Sequence, residues 1–169
     1  MQVTVEHGDV LKAAADILIS SANPWLNMSG GVNGAILQRC PEIQEELRTH
    51  LRTVGVQAVP ATSVAITSAS CLPFDHIIHA VAIDPFYDSS KQILSDTLRA
   101  AFELAKVHEA ESVSLPTLAT GYGPMTIEDF ATVFSDTVLG NCSIPKVRLV
   151  LRTEENAALV RSILATSSD

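Results

Sequence analysis

The chain has 169 residues, of which 47% are hydrophobic and only 5% aromatic, and its formal net charge is −8. This length suits one domain with a substantial core. Because aromatic residues are few, that core must consist mainly of aliphatic residues. Because the chain is acidic and its Lys and Arg residues are scattered, we expect no general nucleic-acid binding and no anionic membrane surface as partner.

Short apolar or β-branched segments, bounded by polar or Gly/Pro turns, predict six strands, at residues 3–6, 16–21, 63–67, 76–83, 112–115 and 146–151. Apolar residues at helical spacing predict helices at 32–52 with a break at Pro41, 90–108, 126–139 and 156–165. The alternation indicates an α/β fold with helices on both faces of one sheet. No helix is predicted between the consecutive strands 63–67 and 76–83. We therefore expect these two strands to be antiparallel and the sheet to be mixed. We assign residues 1–165 to one domain and 166–169 to a short tail.

Two glycine-containing loops follow predicted strands and precede predicted helices. The first lies within Pro24-Trp-Leu-Asn-Met-Ser-Gly-Gly-Val-Asn-Gly34, and the second is Pro116-Thr-Leu-Ala-Thr-Gly-Tyr-Gly123. A glycine loop at a helix N-terminus gathers free backbone N–H groups and the positive end of the helix dipole. Each loop alone is explained by tight turns and helix packing, but two on one sheet predict a cleft for a ligand with two linked phosphates. In an acidic chain we expect backbone amides to bind those phosphates more than cationic side chains do.

Several other kinds of site are not indicated. No Gly-Lys-[Ser/Thr] follows the glycines, no GxGxxG with a suitably placed acidic residue is present, and no GxSxG occurs. His76 and His79 lie three apart on a predicted strand and therefore point to opposite faces. We predict no metal and no cofactor. The three cysteines are widely spaced without a CxxC pair, so we expect reduced thiols, and the N-terminus carries no secretory pattern, so we expect a cytoplasmic protein.

Three polar residues near predicted strand ends have two readings each. Asp9 is explained by capping a short helix that starts near Leu11, but it can also accept a hydrogen bond from an exocyclic amine such as adenine N6. Asn23 can close a turn or contact sugar hydroxyls. Asp84, next to Pro85, is explained best by a turn, although it is also a carboxylate at the expected rim of the sheet.

These motifs together resemble a macrodomain, the ADP-ribose-binding module. Gly8-Asp-Val10, Asp16-Ile-Leu-Ile-Ser-Ser-Ala-Asn23 and Met28-Ser-Gly-Gly-Val-Asn-Gly-Ala-Ile36 resemble the family pattern GDI…DAIVNAAN…GGGVxGAI, in order. His79-Ala-Val81 resembles its H-x-V strand, and Leu115–Gly123 resembles its second loop. The resemblance implies a three-layer α/β/α fold around a six-stranded mixed sheet, with ADP-ribose or an ADP-ribosylated protein as partner.

The resemblance also implies roles for individual residues. Asp9 and the Val10 backbone would bind adenine, Asn23 would face the distal ribose, and Arg152 falls where many members carry an aromatic residue over adenine. Tyr122 would pack against the distal ribose and phosphates. The diphosphate would be bound by the two loops, through Ser29, Gly30, Gly31, Val32, Asn33, Thr120, Gly121 and Gly123.

The chain departs from the family pattern where hydrolysis is concerned. The first Asn of NAAN is Ser20, and the catalytic Asp of one hydrolase class is Asn33, whose amide cannot act as a general base. No lysine matches the catalytic lysine of the other class. We therefore favour binding. Hydrolysis with Asn23, Asn33 or Asp84 in the catalytic machinery stays open, as does an ADP-ribose-1″-phosphate phosphatase that uses His79 and Asp84. A scaffold without a nucleotide ligand would leave the glycine loops unexplained.

Overall fold

The computed structural model describes residues 1–166. Its strands are β1 (Gln2–His7), β2 (Ile17–Ala22), β3 (Val64–Ser68), β4 (His76–Val81), β5 (Ser112–Leu115) and β6 (Lys146–Leu151). Its helices are α1 (Gly31–Arg39), α2 (Glu42–Val54), α3 (Lys91–Val107), α4 (Ile127–Val138) and α5 (Glu154–Thr166). All the predicted elements are confirmed within a few residues, and the predicted helix at 32–52 is two helices that meet at Pro41.

The six strands form one mixed sheet in the order β1-β6-β5-β2-β4-β3. All neighbouring pairs are parallel except β3 and β4, which confirms the predicted antiparallel pair. In a sheet of this kind the carboxyl ends of the parallel strands lie at one edge. The loops that follow β2, β4, β5 and β6 therefore emerge together, and this edge is where α/β proteins bind ligands.

Each face of the sheet is covered by its own layer of helices. Along β2, Ile17 and Ile19 pack with the α3, α4 and α5 layer, whereas Leu18 and Ala22 pack with the α1 and α2 layer. This division follows from the alternation of side chains along a strand. The arrangement is a three-layer α/β/α sandwich, as the sequence predicts.

Hydrogen bonds of polar side chains define several helix starts. The Leu11 N–H donates to Asp9 Oδ1 at 3.0 Å, which makes Asp9 the cap of a short 3₁₀ turn. Thr126 and Asp129 form the predicted capping box of α4. The α5 helix begins two residues earlier than predicted because Thr153 Oγ1 accepts from the Asn156 N–H at 3.2 Å. These local signals are readable from sequence because donor and acceptor are only a few residues apart.

The expectation of reduced cysteines is wrong for two of the three. Cys40, directly after α1, and Cys71, in the turn after β3, form a disulfide across 31 residues of sequence. Cys142 is free. The pairing has no sequence signature because it depends on how α1 lies against the β3–β4 turn. The cytoplasmic location stays a prediction.

At the C-terminal end, α5 includes Thr166, one residue beyond the predicted domain boundary, and residues 167–169 of the predicted tail lie outside the described part. Within residues 1–166, every helix is too short or too polar to cross a membrane.

Candidate functional site

A cleft with a volume of about 720 Å³ lies at the carboxyl ends of the parallel strands. Both glycine loops contribute to its wall, together with residues that follow β2, β4 and β6. Of the predicted ligand-binding residues, those in the wall are Asn23, Ser29, Gly30, Gly31, Val32, Asn33, Thr120, Gly121, Tyr122, Gly123 and Arg152. The fold thus brings together segments that are more than a hundred residues apart in sequence.

The first glycine loop ends at the N-terminus of α1 in left-handed backbone. Gly30 and Gly31 have φ values of +65° and +54°, which glycine adopts without the strain of a side chain. Among residues 1–166, no side chain caps this helix. The N–H groups of its first turn therefore face the cleft without the usual capping acceptor, beside the positive end of the helix dipole. This geometry suits an anionic ligand group.

The second glycine loop reaches across the cleft to the first. The Tyr122 hydroxyl occupies the space that a Cβ on Gly30 would need, so the two loops meet over the opening. Gly123 is fixed by close packing, since an added Cβ would lie 2.9 Å from the Ala119 carbonyl carbon. A Cβ on Gly121 would instead contact no atom within 4 Å. Gly121 is thus open toward the solvent or a ligand, and Gly30 is covered by Tyr122.

Arg152 is the only residue in the described cleft wall with a formal charge at neutral pH. Its Nη2 lies 3.7 Å from the position of a Cβ on Gly31, beside the start of α1. It makes no ion pair with any residue in the described range 1–166. The one cation of the cleft is therefore close to the predicted phosphate loop as well as to the end of β6.

Asn33 is buried, and both ends of its amide are engaged with β2. Its Oδ1 accepts a hydrogen bond from Ser20 Oγ at 2.7 Å, and its Nδ2 donates to the Ser21 carbonyl. Asn23 is similarly engaged: its Oδ1 accepts from the Asn27 N–H at 3.1 Å, and its Nδ2 donates to the Asn27 carbonyl at 2.9 Å. In this arrangement both amides hold the backbone of the cleft in place.

Three predicted residues lie outside the cleft wall. Asp84 forms a turn, because its Oδ1 accepts from the Phe86 N–H at 2.8 Å and the Asp88 N–H at 3.0 Å. Asp9, besides its capping bond, lies 3.5 Å from Arg39 Nη2. Val10 is buried in the core. The adenine contacts implied for Asp9 and Val10 stay predictions, and Asp84 is not placed for chemistry in the cleft.

His79 is completely buried under α1 and α2, away from the cleft. The Thr67 hydroxyl donates to the Ser68 carbonyl, so the ring N–H at Nε2 is the donor to Thr67 Oγ1 at 2.9 Å. Nδ1 then has no partner among the described residues. Burial, aided by the charge of His50, lowers the pKa of His79 to about 3. A neutral, enclosed imidazole cannot form the phosphatase pair with Asp84.

The cleft wall also includes residues that were not singled out from the sequence, among them Tyr87, Ile83 and Asn156. Tyr87 has a φ of +60° and follows Asp84-Pro-Phe directly. In the sequence, the sign that Tyr87 could matter was this turn after a buried strand. Its contribution to the cleft could not be read from the sequence because it depends on β4 lying next to β2.

Comparisons with known proteins agree on one family. The Macro domain family model matches residues 19–134. A Macro domain-containing protein of Listeria monocytogenes is 31% identical, with 97% of each chain covered, and an O-acetyl-ADP-ribose deacetylase of Citrobacter rodentium is 29% identical, with 99% of this chain and 98% of that protein covered. Among solved structures, an Oceanobacillus iheyensis macrodomain variant with ADP-ribose has a TM-score of 0.88 at 26% identity, covering 97% of this chain and 92% of that one.

Proposed function

Because the chain belongs to the macrodomain family, we propose that it binds ADP-ribose, or an ADP-ribosyl group on a larger molecule, in the cleft between the two glycine loops. The observation that carries the proposal is the meeting of these loops at the start of α1, where no described side chain caps the helix, with Arg152 as the one charge in the described cleft wall. Backbone N–H groups and a guanidinium together suit a diphosphate. The Oceanobacillus macrodomain, whose structures include complexes with ADP-ribose and ADP, supports the same ligand class.

The proposal assigns an orientation to the ligand. The diphosphate contacts the Ser29–Gly34 and Thr120–Gly123 loops, adenosine lies toward β6 and Arg152, and the distal ribose lies toward Asn23 and the segment after β4. The cleft crosses the ends of β6, β5, β2 and β4, which at ~4.8 Å per strand is a span of roughly 14 Å. An elongated cleft of this kind suits an adenosine and a ribose joined by a diphosphate. No membrane or general nucleic-acid partner is part of the proposal.

Hydrolysis of an ADP-ribosyl ester is the second candidate function, and it is favoured by the relatives named O-acetyl-ADP-ribose deacetylase. The described cleft wall has no carboxylate, imidazole or amine that could act as a general base. Binding is therefore the function that the geometry supports best. Hydrolysis would depend on a water molecule positioned by the ligand's own phosphate.

Calorimetric titration with ADP-ribose, AMP and NAD tests the proposed binding. ADP-ribose should bind tightest, since AMP lacks the second phosphate and NAD blocks the distal C1″ position. Equal affinity for AMP and ADP-ribose would refute a role for the diphosphate loops. Release of free ADP-ribose from an ester-linked ADP-ribosylated protein, measured in parallel, separates binding from turnover.

A further inference from the structure

The exposed aromatic residues of the chain are concentrated at one place. The chain has one Trp and two Tyr, and all three are exposed at or beside the cleft: Trp25, Tyr87 and Tyr122. Phe86 is exposed next to them, with 89% of its surface accessible. The four remaining phenylalanines are buried. An acidic chain with few aromatics thus has half of them on the surface, where aromatic residues are typical of interfaces.

Trp25 and Tyr87, together with Phe86 next to Tyr87 in sequence, form an aromatic rim at one end of the cleft. The Trp25 and Tyr87 ring centroids are 6.2 Å apart. Tyr87 belongs to the cleft wall, whereas Trp25 and Phe86 lie outside it. A small ligand enclosed by the wall therefore leaves two of the three rim residues uncovered, and a larger ligand is needed to cover them.

The rim is held in place by the backbone on the Phe86 side. The Asp84 carboxylate accepts from the N–H groups of Phe86 and Asp88, and the Asp84 N–H donates to the Asp88 carbonyl at 2.9 Å. Within this closed turn Tyr87 adopts a left-handed φ of +60°, which is unfavourable for a bulky residue. The turn thus fixes an unfavourable backbone conformation that leaves Phe86 exposed and Tyr87 in the cleft wall.

The Trp25 side is fixed in a similar way. The Asn23 amide makes two hydrogen bonds to the Asn27 backbone, and the Leu26 N–H donates to the Asn23 carbonyl at 2.9 Å. Leu26 is buried in the core, which anchors the turn. Trp25, directly before it, remains 40% exposed. The turn therefore holds the indole on the surface, although the next residue, Leu26, is part of the core.

The rim lies where a group attached to the distal ribose leaves the cleft. Tyr87 follows β4, at the opposite end of the cleft from Arg152, which follows β6. With the orientation proposed above, the distal ribose and its C1″ position are on the Tyr87 side. This step depends on the proposed function. In that orientation, the molecule that carries the ADP-ribosyl group leaves the cleft beside the rim.

The charge around the rim is negative. Asp84 and Asp88 flank Phe86 and Tyr87, and residues 13–38 contain no Lys or Arg. The nearest cation in sequence after the turn, Lys91, pairs with Asp129 at 3.2 Å. Exposed aromatic faces beside unneutralised carboxylates favour Lys and Arg side chains, through charge attraction and cation–π contact, as well as apolar groups.

We propose that the aromatic rim binds the polypeptide segment next to an ADP-ribosylated residue, and that it selects segments with basic and apolar side chains. The favoured ligand is then an ADP-ribosylated protein. A two-carbon acyl ester of ADP-ribose is too small to cover Trp25 and Phe86, which lie outside the cleft wall.

The test uses the full chain and three probes: free ADP-ribose, a synthetic ten-residue peptide ADP-ribosylated on one serine with Lys and Leu flanks, and the same peptide with Asp and Gly flanks. The variants are Phe86→Ala and Trp25→Ala, which leave the Ser29–Gly34 and Thr120–Gly123 segments unchanged. Val107→Ala is the matched control, since Val107 is 74% exposed at the far end of α3. Circular dichroism checks that each variant is folded.

The wild-type chain should bind the Lys/Leu peptide at least about tenfold tighter than free ADP-ribose and than the Asp/Gly peptide. Phe86→Ala and Trp25→Ala should each weaken the Lys/Leu peptide about tenfold, the effect of removing an aromatic contact, and change free ADP-ribose by less than about twofold. Val107→Ala should change neither. The emission of Trp25, the only tryptophan, should shift to shorter wavelength with the Lys/Leu peptide, because the indole leaves water.

Each failure points to a different step. If free ADP-ribose does not bind, the proposed function is wrong. If free ADP-ribose binds but both peptides bind no tighter, or if the rim variants behave like Val107→Ala, the rim does not contact the peptide and the inference is overturned. If both peptides bind tighter by the same factor, the selection for basic segments is overturned.

Discussion

Replacing Asn33 by aspartate tests whether this amide holds the cleft together. In Asn33→Asp the donor to the Ser21 carbonyl becomes an acceptor, while the bond from Ser20 Oγ can persist. A buried carbonyl then faces a carboxylate oxygen instead of an N–H. Leaving a buried polar group without its partner costs about 1–3 kcal/mol, and this is the expected fall in the free energy of unfolding at neutral pH.

Thermal unfolding measures this effect. For a chain of this size each kcal/mol lowers Tm by about 2–4 °C. The loss should shrink in acid, where a protonated carboxyl can again donate to the Ser21 carbonyl. Gln57→Glu, which adds the same charge at an exposed site after α2, is the control and should leave Tm nearly unchanged. An Asn33→Asp protein as stable as the wild type at pH 7 would refute the engaged amide.

The same variant tests the sequence-based prediction about hydrolysis. Repulsion from the Ser21 carbonyl should turn one carboxylate oxygen toward the cleft, which supplies the general base that the wall lacks. We therefore expect Asn33→Asp to raise the release of ADP-ribose from ester-linked substrates, assayed beside the wild type. Brisk turnover by the wild type that survives in Asn33→Ala would instead show that catalysis uses other groups.

Three further predictions follow from single side chains. Arg152→Ala should weaken ADP-ribose binding about tenfold in calorimetry and flatten the dependence of affinity on salt, since it removes the one cation of the described cleft wall. An unchanged salt dependence would show that Arg152 does not interact with the charge of the ligand. Because the pKa of His79 falls from 6.5 to about 3 on folding, its contribution to stability is present above pH 6.5 and is lost as pH falls toward 3, by ~2 kcal/mol at pH 5. Urea unfolding should therefore show a smaller loss of stability in acid for His79→Gln than for the wild type. Equal losses would contradict the buried neutral ring. Cys71→Ser should lower the free energy of unfolding by about 3–4 kcal/mol, the value that the chain-entropy model gives for a 31-residue crosslink. A thiol titration of the denatured, unreduced wild type should find one free thiol, Cys142, rather than three.

The sequence was most informative where the interactions are local. The bounds of β5 and β6 agree with those predicted, and the Asp9 cap and the Thr126 capping box form as expected, because each depends on residues a few positions apart. The glycine loops could be placed at one edge because parallel strands share a direction. The resemblance to macrodomains added the ligand class.

What could not be read from the sequence depends on contacts between distant segments. Cys40 and Cys71 pair only because α1 lies against the β3–β4 turn. Asn33 is engaged by hydrogen bonds with β2, thirteen and twelve residues earlier. Asp84 is a carboxylate near the expected edge of the sheet, but it hydrogen-bonds to the backbone that follows it and lies outside the cleft wall. Polar side chains with several possible partners are assigned only when the fold determines which partner is near.

The central claim is that the start of α1 binds the diphosphate of ADP-ribose, and titration of ADP-ribose into Gly31→Glu tests it most directly. Gly55→Glu is the matched control, because Gly55 is also exposed with a positive φ, at the end of α2, and also has room for a side chain. Both variants place a side chain at a positive φ and add the same charge. We predict that Gly31→Glu abolishes binding while Gly55→Glu binds like the wild type. Retained affinity in a folded Gly31→Glu protein would contradict the claim.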